Sequence, residues 1–85
     1  MTTFEYTIKD DLGIHARPAG LLIKEASAHK CSISITKGEK RADAKKIFSV
    51  MGLGVKHGDT IKITCEGDGE TEAAEKLRAF FYEYL

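Results

Sequence analysis

Gly13-Ile14-His15-Ala16-Arg17-Pro18-Ala19-Gly20 separates two kinds of sequence. Before it, Thr3 to Ile8 alternates with Phe4, Tyr6 and Ile8 on one side, the period-2 pattern of a half-buried strand. After it, Ala19, Leu22, Ile23 and Ala26 recur at helical spacing to about Ala28, with Arg17, Lys24 and Glu25 on the other side. A loop holding Asp10, Asp11 and Gly13 joins the two. His15 is therefore the expected N-cap of an amphipathic helix that rests on a sheet, with Pro18 in the first turn, where a missing N–H costs nothing. The same proline pushes Arg17 away from helical dihedrals, a demand that would move the boundary a residue or two later.

The rest of the chain follows the same two periods. Cys31 to Thr36 alternates, Lys37-Gly38-Glu39-Lys40 reads as a turn, and Arg41 to Ala44 as a short returning strand. Lys45 to Leu53 predicts a short helix stopped by Gly54, and Thr60 to Glu66 a strand with Ile61, Ile63 and Cys65 inward. Gly67-Asp68-Gly69 then introduces a last helix from Glu70 to about Tyr84, with acidic residues in its first turn and a stripe of Ala73, Leu77, Phe80, Phe81 and Tyr84. The order βαββαβα predicts an α+β open-faced sandwich: a four-stranded antiparallel sheet with three helices on one face. Thr3, Glu5, Thr7, Ser32, Ser34, Thr36, Lys62 and Thr64 are polar, as the uncovered face requires.

With 85 residues the chain is read as one small domain, residues 1–85. Thirteen Lys plus Arg balance thirteen Asp plus Glu, so nothing in the charge points to nucleic acid or an acidic membrane as partner. No apolar run approaches the ~20 residues that cross a bilayer, and Met1-Thr2-Thr3-Phe4-Glu5 lacks the regions of a secretory signal, so a cytoplasmic protein without membrane insertion is expected. Cys31 and Cys65 are too few for a disulfide scaffold and lack metal-site spacing. Alternation turns both inward, as small buried thiols rather than a redox pair. No metal or cofactor is expected. His29, after the first helix, and His57, in the Lys56-His57-Gly58-Asp59 turn, read as ordinary surface residues.

The chemistry gathers at His15. In the first turn of a helix several N–H groups lack a partner and the peptide dipoles leave partial positive charge, so anions settle there. The free amides of Ala16 and Arg17 would converge on a group attached to the ring, and the Arg17 guanidinium would add charge-assisted bonds to phosphate oxygens. Helix terminus and arginine both disfavour a further positive charge on the imidazole, which is expected to be neutral and nucleophilic near pH 7. Such a ring can take a phosphoryl group on nitrogen and release it. The competing reading is a solvent-exposed loop histidine, since short motifs arise by chance.

The short middle helix carries Ile47, Phe48, Val50, Met51 and Leu53, more apolar residues than one face of two turns can bury. With Val50, Leu53 and part of Ile47 facing the core, Phe48 and Met51 stand in solvent as a docking surface. An irregular, wholly buried stretch is the alternative.

Gly13-Ile14-His15-Ala16-Arg17-Pro18-Ala19, the approach Ala42-Asp43-Ala44-Lys45, Met51-Gly52-Leu53-Gly54-Val55 and Glu66-Gly67 together resemble the HPr family, histidine-containing phosphocarriers of the bacterial phosphoenolpyruvate-dependent sugar phosphotransferase system. The resemblance extends over essentially the entire chain. It implies a carrier rather than an enzyme, in which His15 accepts phosphate from phosphorylated Enzyme I and hands it to IIA domains of sugar permeases. Arg17 would neutralise the phosphoryl charge, and partners would dock on Ala16, Gly20, Leu21, Lys24, Ile47, Phe48 and Met51. A monomer is expected, meeting donor and acceptor through transient interfaces with Lys24 and Lys45 at the rim. Two departures stand out. Many Gram-positive members begin the middle helix with a regulatory serine where this chain has Lys46, and Gly20, more often alanine in the family, should cost the first helix about 1 kcal/mol. A carrier in a nitrogen-related or dihydroxyacetone-kinase relay, or a small α+β binding module without chemistry, would share the same scaffold.

Overall fold

A computed structural model describes all residues, 1–85. The elements are β1 (Thr2–Thr7), α1 (Ala16–Ser27), β2 (Ser32–Lys37), β3 (Lys40–Asp43), α2 (Ile47–Gly52), β4 (Thr60–Glu66) and α3 (Glu70–Tyr84). The strands form one antiparallel sheet in the order β1-β4-β2-β3.

Register explains the core. Phe4 lies opposite Ile63, Tyr6 opposite Ile61, Ile33 opposite Cys65, and Ile35 opposite both Ile63 and Ala42. Because side chains alternate across a strand, these pairings line up every inward residue on one face. The helices close that face with Ala19, Leu22 and Ala26 from α1, Val50 from α2, and Ala73, Leu77 and Phe81 from α3. Phe81 is fully buried between the rings of Phe4 (6.2 Å) and Tyr6 (5.5 Å). The expected α+β sandwich with its βαββαβα order is the fold observed.

Three local readings need correction. Ser34, placed on the open face, is nearly covered at 9% exposure, because β2 is flanked on both sides and Ser34 lies between Thr64 and Asp43. The middle helix starts at Ile47 rather than Lys45: the Asp43 carboxylate accepts the Lys45 N–H (2.9 Å) and its carbonyl accepts the Lys46 N–H (3.1 Å), a turn that delays the helix. Tyr84, expected inward, is 43% exposed and rests on the Phe80 ring (4.8 Å), while Ala74 and Leu85 take buried positions instead.

The N-terminus is tied to the start of α3, just beyond the neighbouring strand β4. Glu70 receives the Met1 ammonium (2.7 Å), the Thr2 hydroxyl (2.7 Å) and the Gly67 N–H (3.2 Å). Those three donors, the ammonium foremost, lower the Glu70 carboxyl from its ordinary 4.5 to about 2. A carboxyl depressed on folding adds stability above its unfolded value, and that stability is lost as pH falls from about 4.5 towards about 2. Urea unfolding midpoints measured at several pH values should therefore fall through this window in the native protein, and fall less in Glu70→Gln.

Candidate functional site

His15 is the N-cap of α1, in extended conformation (φ -106°, ψ -178°), and its carbonyl accepts the Ala19 N–H at 2.9 Å. Its side chain caps nothing and is 36% exposed. The Ala16 and Arg17 amides have no acceptor within the chain, which leaves the unpaired donors that the sequence called for. Ala16 and Arg17 are exposed, and the Arg17 guanidinium forms no ion pair or hydrogen bond in the chain. The helix begins at Ala16 despite the opposing demand of Pro18, whose buried position beside buried Ala19 fixes the first turn against the core.

The loop entering this helix is anchored at several points. Gly13 adopts φ +68°, and a Cβ there would lie 2.2 Å from the Val55 carbonyl oxygen and 2.7 Å from Lys56 Cα, so glycine alone permits this approach. The same Val55 oxygen accepts the Ile14 N–H (3.1 Å), and Ile14 is buried. Asp10 builds the turn itself: its side chain accepts the Leu12 N–H (2.8 Å) and its carbonyl the Gly13 N–H (3.0 Å). The Leu85 carbonyl oxygen, just past α3, accepts the N–H groups of Lys9 (2.7 Å) and Asp10 (3.0 Å). Through Asp10 the loop also reaches the ring, His15 Nε2 lying 3.6 Å from Asp10 Oδ1. Sequence reading assigned Asp10 only to a loop; an Asx turn two residues before an exposed Leu12 was the available signal.

The residues expected to dock partners lie on α1 and α2, which pack against each other. Phe48 is 87% exposed, Met51 40% and Leu21 39%; Gly20 and Lys24 are exposed, and Ile47 is half-buried against the core. Val50 and Leu53 are buried, so α2 is divided as its sequence required and is not a wholly buried stretch. Leu12, 71% exposed and three residues before His15, is a further exposed apolar side chain near the cap that escaped the sequence reading, although an apolar residue between Asp11 and Gly13 was the clue. A Cβ at Gly20 would meet nothing within 4 Å, so no close packing within the chain calls for the glycine.

Other expectations divide. Lys45 is not at a rim: its ammonium donates to the carbonyls of His29 (2.7 Å) and Cys31 (2.8 Å), stapling the end of α1 to the chain before α2. His29 is only 12% exposed in its side chain and pairs with Glu25 at 2.8 Å, one helical turn back, so it is not an ordinary surface residue. His57 is 58% exposed. Cys31 and Cys65 are both buried, and burial, reinforced by the Cys31 thiol beside it, pushes the Cys65 thiol up to about 11. Burial makes both packing residues in character, and at Cys65 the reactive thiolate is suppressed. No group of three or more His, Cys, Asp or Glu is arranged to hold a metal, and no helix is long and apolar enough to cross a membrane.

Known proteins share this sequence pattern and fold. A family profile described as the PTS HPr component phosphorylation site matches residues 2–83. The phosphocarrier protein HPr of Lysinibacillus sphaericus is 40% identical over 83 residues, covering 98% of this chain and 94% of the relative. Among solved structures, the histidine-containing phosphocarrier protein of Mycoplasma superposes with a TM-score of 0.93 at 34% identity, covering 96% of this chain and 93% of that one. Crh of Bacillus subtilis, described as a catabolite repression protein forming a swapped dimer, matches with a TM-score of 0.79 at 32% identity over 100% of this chain and 98% of that one. A family profile spanning nearly every residue, and relatives matched over more than nine-tenths of their own length with the same fold, place this chain in the HPr family of phosphocarrier proteins.

Proposed function

We propose that this chain shuttles a phosphoryl group on His15, taking it from phosphorylated Enzyme I and passing it to IIA domains of sugar permeases. The observation that carries the reading is a half-exposed imidazole at the cap of α1, beside two unpaired amides and an uncommitted guanidinium. In the loading step an imidazole nitrogen attacks phosphorus, the bond between phosphorus and the donor breaks, and its electron pair returns to the donor. Unloading runs the same exchange towards the acceptor. Because the two amides are already unpaired beside the cap and the Arg17 guanidinium has no partner to leave, little reorganisation accompanies the charge that arrives. The apolar surface of Leu21, Phe48 and Met51 offers both partners the same landing area, and Lys24 supplies positive charge beside it. Lys46 caps α2, so phosphorylation of a serine at that position is closed to this carrier.

Incubation with Enzyme I and labelled phosphoenolpyruvate should give one acid-labile, base-stable label, absent in His15→Ala. A labelled His15→Ala protein would overturn the assignment. Chasing the labelled protein with sugar-permease IIA domains, and separately with acceptors of nitrogen-related and dihydroxyacetone-kinase relays, reads the onward partner.

Arg17→Ala removes charge-assisted bonds of about 1.5–3 kcal/mol. Loading should slow roughly 10- to 100-fold, while the exposed, unpaired position leaves the melting temperature nearly unchanged. Rapid-quench kinetics and a thermal melt check the two halves.

A further inference from the structure

Asp10 has a fixed carboxylate turned towards the reactive ring, and nothing in the packing of the core requires it. Its backbone N–H donates to Leu85, its carbonyl accepts Gly13, and its Oδ1 accepts the Leu12 N–H at 2.8 Å. With three anchors, this carboxylate is held in place without help from the histidine. The same Oδ1 lies 3.6 Å from His15 Nε2. That separation is longer than a direct hydrogen bond, and it suits one bridged by water or tightened when a partner docks. The neighbouring Asp11 is 99% exposed in its side chain and faces His57 at 3.9 Å instead.

We propose that Asp10 is the positioning residue of the phosphoryl acceptor: it holds the Nε2 edge of His15, keeps the proton on that nitrogen, and presents Nδ1 with its lone pair to phosphorus. The inference rests on the reading of His15 as acceptor. A carboxylate that orients one ring nitrogen selects the tautomer in which the other is free, as happens wherever a second group orients a histidine. When Nδ1 gains the phosphoryl group, the Nε2 proton stays and the ring becomes a cation facing the carboxylate. When the P–Nδ1 bond breaks towards the acceptor, its electron pair returns to the ring, which is again neutral with the proton on Nε2. Asp10 thus keeps one ring orientation through both halves of the cycle.

Asp10→Asn tests the charge, because the amide oxygen still accepts the Leu12 N–H, so the turn survives while only a weaker, neutral acceptor faces Nε2. The ring nitrogens of 15N-histidine-labelled protein report the tautomer, and rapid quench with Enzyme I reports loading. In Asp10→Asn the two ring shifts should move towards each other as the Nδ1–H form gains population, and loading should slow about 10-fold, the lower end of what loss of an orienting partner costs. Asp11→Asn, which removes the same charge without facing His15, should match the native protein in both. Ring shifts unchanged in Asp10→Asn, or loading as fast as or faster than native, would overturn the proposal; the latter is the signature of a carboxylate that merely repels phosphate. Absence of label in the native protein would instead overturn the carrier reading, whatever the ring shifts do.

Discussion

Gly13→Ala should lower the melting temperature by roughly 10–25 °C and take phosphoryl acceptance down with it. Residue 13 sits at φ +68°, where a side chain costs about 1–2 kcal/mol. The added methyl would also stand 2.2 Å from the Val55 carbonyl oxygen, so the backbone must separate and the Ile14 N–H to Val55 bond is lost, a further ~1 kcal/mol. Together these come to about 2–3 kcal/mol, and a domain of this size loses roughly 4–8 °C per kcal/mol. Thermal unfolding by circular dichroism measures the first effect. Labelling well below the transition measures the second, since displacement of Gly13 moves the cap residue two positions on. A Gly13→Ala protein with native melting and native labelling would mean that the loop does not grip Val55 in solution.

Phe48→Asp should do the reverse, sparing the fold and removing the partner. At 87% exposure the ring gives the core almost nothing, and a carboxylate in its place is fully hydrated. An aromatic anchor at the centre of an interface is worth about 2 kcal/mol or more on truncation, so affinity for Enzyme I should fall by about 30-fold. Isothermal titration reads the affinity, and an unchanged far-ultraviolet spectrum with an unchanged melt reads the fold. Unfolding of this variant would place Phe48 in the core after all.

What could be read in advance was whatever repeats or punctuates locally. Strand alternation put Phe4, Tyr6, Ile33, Ile35, Ile61 and Ile63 inward, and the partition of α2 followed from having too many apolar residues for one face. The position of His15 at a helix start followed from Pro18 and the change of period, both visible within a dozen residues. Long reach defeated the same reasoning. Lys45 spans back to carbonyls 14 and 16 residues earlier, an interaction that a flexible ammonium can make with any nearby oxygen and that no spacing rule encodes. Glu70 finds Thr2 and the N-terminus at a separation of 68 residues, set by the pairing of β1 with β4. Burial of Ser34 depends on strand order, which alternation alone leaves open, and the turn of Asp10 towards His15 depends on a loop that Val55 and Leu85 hold from outside.

The bonds from Leu85 to Lys9 and Asp10 bear on how the protein is made. Residues 9 and 10 leave the ribosome early, but the oxygen that restrains them belongs to residue 85, and it arrives only when the final helix has formed and docked. In a nascent polypeptide that has not yet supplied residue 85, these two N–H groups lack that acceptor, and the loop before His15 is held by fewer bonds than in the finished fold.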